Sequence, residues 1–178
     1  MEIYRCLICG EVYMGAGKPS NCPYCGAKEK HLVPAVEWTD ENLTIGELSE
    51  ASRKNLEKAL QLEVDNAPFY RECSAKAKSV ELQGVFKYLA KIEGEHASVI
   101  RKMLKGTLPP VSPEAEKATD DEAENLRIAH GREKAAVKFY AQASREAVEP
   151  RVNRVLFALT EIESDHILLE RNLLGGKE

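Results

Sequence analysis

Two sets of residues in this chain have types and spacings suited to metal chemistry. In "ALTEIESDHILLERN" (158–172), Glu163 and His166 stand three apart inside an apolar stripe formed by Val155, Leu159, Ile162 and Leu169. An unpaired buried carboxylate is costly, so a lone Glu-x-x-His would ordinarily put the acid at the stripe's margin and the histidine in a hydrogen bond. This one is not alone. "LAKIEGEHASVIRKM" (89–103) repeats the spacing with Glu93 and His96, inside the stripe Leu82, Phe86, Leu89, Ile92, Val99 and Met103.

The two motifs lie 70 residues apart (163 minus 93), and the same offset relates much of the chain. Glu63 matches Glu133, Phe69 matches Phe139, Tyr70 matches Tyr140 and Ser74 matches Ser144; Val85, Leu89 and Ile92 match Val155, Leu159 and Ile162. "LEVDNAPFYRECS" and "REKAAVKFYAQAS" therefore read as two copies of one helix, and the second half of the chain as a pseudo-twofold copy of the first.

Glu63 and Glu93 are 30 residues apart, as are Glu133 and Glu163. The midpoint of the first pair falls beside Ser79, a good helix N-cap, and that of the second at Val148, just before Glu149 and Pro150, with the proline suited to a first helical position. Each half is then an antiparallel helical hairpin with its glutamates level, about 22 Å from the turn at 1.5 Å per residue. Helices are expected at roughly 46–77, 80–105, 119–147 and 150–174, with Thr119 and Glu122 as a capping box for the third. The proline-rich "GTLPPVSPEAEKA" (106–118) is long enough to cross the bundle's length, either within one bundle or between two. The expected class is mainly α: a ferritin-like four-helix bundle with one long crossover.

One Glu from each of two helices and a Glu-x-x-His from each of the other two is the ligand inventory of di-iron and dimanganese carboxylate proteins. Four carboxylates balance the charge of two divalent ions. Two histidines give each ion one nitrogen ligand, a mixed field that suits iron or manganese better than magnesium or calcium.

The N-terminal stretch "YRCLICGEVYMGAGKPSNCPYCGAKEK" carries a second metal signal. Cys6 with Cys9 and Cys22 with Cys25 form two Cys-x-x-Cys knuckles, followed by Gly10 and Gly26 and separated by twelve residues. Four thiolates in a tetrahedron bind zinc or iron, and the spacing does not choose between them. A segment of this size needs such a metal, because it is too small to hold a core alone. The expected division is residues 1–38 for the cysteine module and 39–178 for the bundle.

With 43% hydrophobic, 30% charged and 6% aromatic residues, the 178-residue chain fits one helical bundle and a small module. Its net charge of −4 gives no basic surface for nucleic acid. No stretch approaches the roughly 18 apolar residues of a membrane helix, and "MEIYRC" does not read as a signal peptide. Knuckle cysteines in such a chain suggest metal thiolates in a reducing cytoplasm rather than disulfides.

Taken together, a short-loop rubredoxin-like knuckle pair and a ferritin-like bundle with this ligand set resemble rubrerythrin, in the order of the "reverse" rubrerythrins with the rubredoxin-like module first. The resemblance covers about residues 1–174. It implies a cytoplasmic peroxide-scavenging protein, usually a homodimer, in which the module of one subunit feeds the di-iron site of another. Carried across, Glu63, Glu93, His96, Glu133, Glu163 and His166 would ligate two iron ions, with Glu93 and Glu163 bridging. Cys6, Cys9, Cys22 and Cys25 would hold one more iron. In the resembled mechanism a diferrous centre reduces hydrogen peroxide to two waters, and the tetrathiolate iron returns the electrons singly. An upstream reductase or a rubredoxin would supply them, and dioxygen is a further candidate oxidant.

One departure from the family pattern matters. Typical rubrerythrins carry an extra glutamate one turn after the third-helix ligand, where this sequence has Ala136, and the matching first-helix position is Asn66. The site so resembles a plainer six-ligand ferritin type, and the redox-linked iron shift of the family is not expected. Tyr70 and Tyr140, duplicated by the repeat and nearly two turns past their glutamates, are candidate catalytic residues, either bonding a ligand carboxylate or donating an electron; core packing is the alternative. His130 reads as a packing or surface histidine, with a role as extra ligand or proton donor as the alternative. Cys73 is expected to be a buried thiol, while Glu95, Asp165 and His31 are expected at the surface. Besides the peroxidase, two functions fit the sequence: a ferritin-like iron oxidation or storage protein, and a dimanganese catalase-like site with a structural zinc module.

Overall fold

Four long helices pair by sequence neighbour, and a small sheet sits on them. The computed structural model describes residues 1–176. Strands β1 (Glu2–Cys6), β2 (Val12–Gly15) and β3 (Leu32–Pro34) form an antiparallel sheet in the order β2-β1-β3. The helices are α1 (Glu50–Lys76), α2 (Val80–Leu104), α3 (Glu122–Glu146) and α4 (Pro150–Leu173). α1 packs mainly against α2, and α3 against α4. The architecture is the expected one, mainly helical, with a ferritin-like bundle and a rubredoxin-like module.

The turns carry the repeat into the structure. Ala77 N donates to Cys73 O, and Ala147 N, 70 residues on, donates to Ala143 O. Ser79 caps α2 by accepting from Leu82 N, and Pro150 opens α4. Two starts differ from expectation. α1 begins at Glu50, because Ser49 is its cap and accepts from Ser52 N. α3 is capped by Asp121, which accepts from Ala123 N and Glu124 N, so there is no Thr119–Glu122 capping box. Glu122 instead accepts from Lys78 N and Ser79 N, tying the start of α3 to the α1–α2 turn.

The crossover runs along its own bundle. Asp65 accepts from Ser112 N and Ser112 Oγ, Glu72 accepts from Ala118 N, and Lys76 donates to Ala118 O. These contacts follow α1 from its middle to its end, as a connection spanning the bundle must.

Two apolar clusters flank the middle of the bundle. One joins the module (Cys6, Ile8, Cys9, Cys22, Cys25, Leu32) to Leu56, Leu60, Ile92, Ile100, Leu156, Leu159 and Ile162. The other, built from Phe69, Tyr70, Cys73, Phe86, Leu89, Leu126 and Ala129, fills the opposite end. Between them, on all four helices, stand the glutamates. Among the described residues no helix is long and apolar enough to cross a membrane.

Candidate metal centres

The two knuckles close on one another. Gly10 and Gly26 take φ of +85° and +76°, a region that a side chain would strain, and their amides bond back to the carbonyls of Cys6 and Cys22. Cys6 Sγ lies 3.8 Å from Cys25 Sγ, and Cys9 Sγ lies 3.7 Å from Cys22 Sγ. A tetrahedron with metal–sulfur bonds of about 2.3 Å has edges of about 3.8 Å, which these two pairs match, and all four buried sulfurs lie within 4.8 Å of one another, as a tetrathiolate metal requires. This geometry fits zinc and iron equally.

In the bundle, Glu63, Glu93, His96 and Glu163 bring one ligand atom each within 4.8 Å of one another, as do Glu93, Glu133, Glu163 and His166. Glu93 and Glu163 belong to both groups. All six side chains are buried. His96 Nδ1 faces Glu163 Oε1 at 3.3 Å, Glu93 Oε2 at 3.5 Å and Glu63 Oε1 at 3.7 Å. His166 Nδ1 faces Glu163 Oε2 at 2.7 Å, Glu93 Oε1 at 3.6 Å and Glu133 Oε1 at 3.8 Å. The 2.7 Å contact is short enough for a hydrogen bond but not aligned as one, for both atoms are without a hydrogen-bond partner, as are both oxygens of Glu93. Buried polar atoms normally find partners. Orphaned oxygens and nitrogens converging at ligand-to-ligand distances fit two cations with shared carboxylates.

Electrostatics without the ions show the strain such a cluster carries. Burial, with the charges of Glu163 and Glu63, holds the Glu93 carboxyl well above the usual range. Burial and Glu163 push Glu133 up to about 8. For Glu163, burial acts upward but His166 and His96 outweigh it, and the group is held at about 2.

Tyr70 and Tyr140 reach across the bundle, each to the other half. Tyr140 donates to Glu63 Oε1, and Tyr70 donates to Glu133 Oε1. The two phenols are fully buried and so belong to the core as well as to the cluster. Ala136 and Asn66 are buried; Arg132 donates two hydrogen bonds to Asn66 Oδ1.

The two centres touch. His96 Nε2 lies 2.9 Å from the carbonyl oxygen of Cys25. Arg151 donates to the carbonyls of Leu7 and Ile8, Lys28 pairs with Asp165, and Lys30 lies 2.5 Å from Glu161. A Cβ on Gly26 would stand 3.1 Å from Ile162 Cγ2, so the knuckle rests directly on α4. Asp165, read as a surface acid, is 40% exposed in its side chain and meets the module through Lys28. His31 is buried rather than exposed, because it packs where the module meets α4, 3.5 Å from Glu161. Cys73 is buried as expected.

One buried acid beside the carboxylate cluster was missed in the sequence. Glu170 is fully buried; its Oε1 is 3.1 Å from the Tyr70 hydroxyl, and its Oε2 is 3.7 Å from His130 Nδ1. His130 is itself buried. The signal was a second acid one turn after His166 on the same apolar stripe.

A helical bundle with a buried carboxylate and histidine cluster, joined to a four-cysteine site, defines a ferritin-like metal protein with a rubredoxin-like module. The chain belongs to the rubrerythrin family, whose model matches residues 54–174. The cysteine module precedes that region, giving the reverse order. Reverse rubrerythrin-1 of Clostridium acetobutylicum is 31% identical over 120 residues, 58% of this chain and 62% of that protein, so the match spans less than two thirds of the relative's length. A hypothetical protein from Pyrococcus furiosus has the same fold, with a TM-score of 0.60 at 22% identity over 70% of this chain and 88% of that one. Both sites are consistent with iron binding.

Proposed function

We propose that this chain is a non-haem di-iron peroxidase that reduces hydrogen peroxide to water, with electrons passed from a mononuclear iron on the four cysteines to two irons in the bundle. The observation that carries the reading is the shared hydrogen bond between His96 and Cys25. A structural zinc module would have no need of it, and a redox-neutral catalase site would need no attached donor.

Glu63 and His96 would hold one ion and Glu133 and His166 the other, with Glu93 and Glu163 shared. Bound there, iron would supply the electron pair that breaks the O–O bond, and the tetrathiolate iron would restore those electrons singly. Nε2–H of His96, donating to the Cys25 carbonyl, fixes the tautomer that presents the Nδ1 lone pair to the carboxylate cluster. Tyr70 and Tyr140 hold Glu133 and Glu63 by their Oε1 atoms and leave each Oε2 for an ion. The docking of the module on its own bundle supports electron delivery within one chain, in place of the route between subunits that the resemblance implies. Dioxygen as oxidant, an upstream reductase or rubredoxin as donor, and a homodimer in the cytoplasm remain part of the proposal.

A second reading has one observation in its favour: Ala136 brings no further carboxylate, which suits a plainer iron-oxidising site of ferritin type. The test is selective metal loading. Chain with iron in both sites should consume peroxide continuously when given a reductant, without evolving dioxygen, and zinc on the cysteines should abolish turnover while sparing a single round. Dioxygen evolution from peroxide, or turnover unchanged by zinc, would contradict the peroxidase reading.

A further inference from the structure

The repeat makes the two ends of the carboxylate cluster near copies, and one difference between them bears on protons. At one end Tyr140 bonds Glu63, backed by Leu60 and Ile100. At the other Tyr70 bonds Glu133, and the positions 70 residues on from Leu60 and Ile100 are His130 and Glu170. Both are buried where the first half has apolar side chains.

Hydrogen counting makes the difference chemical. The Tyr70 hydroxyl has one hydrogen and stands between two carboxyl groups, Glu133 at the shorter distance and Glu170 at 3.1 Å. With ions held by the cluster Glu133 is ionised, and the phenol hydrogen goes to its nearer oxygen. The Glu170 contact is then a hydrogen bond only if Glu170 carries the proton and donates to the phenol oxygen. We propose that Glu170 is a proton-holding positioning residue, the far end of a chain running from Glu170 through Tyr70 to Glu133, and that it supplies protons to one end of the metal cluster. Burial, with Glu133 nearby, also raises the Glu170 carboxyl, to about 9.

The use of that proton rests on the peroxidase reading. Reduction of one hydrogen peroxide breaks the O–O bond and takes up two electrons and two protons to give two waters. The electrons are those of the proposed iron centres. One proton leaves Tyr70 toward the product oxygen at the Glu133 end as Glu170 returns one to the phenol, and the second comes from solvent. His130, 3.7 Å from Glu170 Oε2, is placed to recharge the carboxylate. Among the described residues the Tyr140 end has no matching acid and histidine, Leu60 and Ile100 standing there instead, so the two metal positions are inequivalent.

The test uses iron-loaded full-length protein. Infrared difference spectra of wild type against Glu170→Gln should contain a carboxylic-acid C=O stretching band that is lost in the variant. In single-turnover mixing of the reduced protein with hydrogen peroxide, Glu170→Gln should slow reoxidation by about tenfold or more and enlarge the solvent isotope effect. Tyr70→Phe should slow it similarly, and the double variant should be no slower than either alone, as for residues acting as one unit. Lack of the band in the wild type overturns the proposal. So does a Glu170→Gln rate within twofold of wild type, or additive losses in the double variant. The band is read without peroxide, so inertness of the wild type toward peroxide would instead overturn the peroxidase reading.

Discussion

The carbonyl oxygen of Cys25 and Nε2 of His96 lie 2.9 Å apart, so a residue of the thiolate cluster and a residue of the carboxylate cluster share one hydrogen bond. The contact depends on docking, and docking depends on Arg151, which is buried and donates to the Leu7 and Ile8 carbonyls. Arg151→Met keeps the apolar stem and removes both bonds. We expect a loss of about 1.5–3 kcal/mol in denaturant unfolding, typical for hydrogen bonds to a charged group. In protein loaded with iron at both sites, electron transfer between them, followed by flash reduction, should slow by about tenfold or more under the proposed function.

The tyrosines give a second prediction. Tyr140→Phe leaves Glu63 Oε1 with no donor in a buried site. Loss of such an outer hydrogen bond typically lowers metal affinity by about 10–100-fold. Ferrous-ion titration against a competing chelator should show one of the two equivalents weakened by that factor. Unchanged affinity would reduce the tyrosine to packing.

The metal-free bundle should grow less stable as the solution becomes more alkaline. Glu133 is raised to about 8 and Glu170 to about 9 from 4.5, and Glu93 is raised as well. Between pH 4.5 and about 9 the folded chain therefore binds more protons than the unfolded one, and stability falls as pH rises through that window. His96 and His166, also raised, act in the same direction above 6.5. Glu163, held at about 2, acts oppositely, but only between pH 2 and 4.5. Thermal melts of metal-free protein at pH 5, 7 and 9 should show a falling Tm, and two equivalents of ferrous ion should flatten the trend.

Removing the thiolate metal should unfold the module before the bundle. Its strands have five, four and three residues, and its buried interior is largely the four cysteines, Ile8, Ala27 and Leu32. Without the metal, four thiols fill the place of a core. Hydrogen exchange after chelation should show residues 2–34 losing protection while α2 and α3 keep theirs.

Much of this was legible in the sequence because a duplication writes its geometry twice. The 70-residue offset and the 30-residue glutamate spacing set the hairpins, the turns at Ala77 and Ala147, and the level at which the acids meet. Glu170 was not legible by that route, since its counterpart is Ile100 and the repeat is silent where the halves differ. His31, Asp165 and Arg151 escaped for another reason: each gains its partner only when the module rests on α4, a long-range contact with no local pattern. The start of α3 was misplaced because Asp121 competes with Thr119 as a cap, and Glu122 is drawn away to the α1–α2 turn.

The most direct test is anaerobic stopped-flow mixing of fully reduced, iron-loaded protein with hydrogen peroxide, following the visible bands of the ferric tetrathiolate. Those bands should return rapidly, at a rate independent of protein concentration, faster with peroxide than with dioxygen, and not at all in Glu93→Ala. Bands that fail to return, or return as fast in Glu93→Ala as in the wild type, would contradict electron flow from the cysteines through the bundle to peroxide.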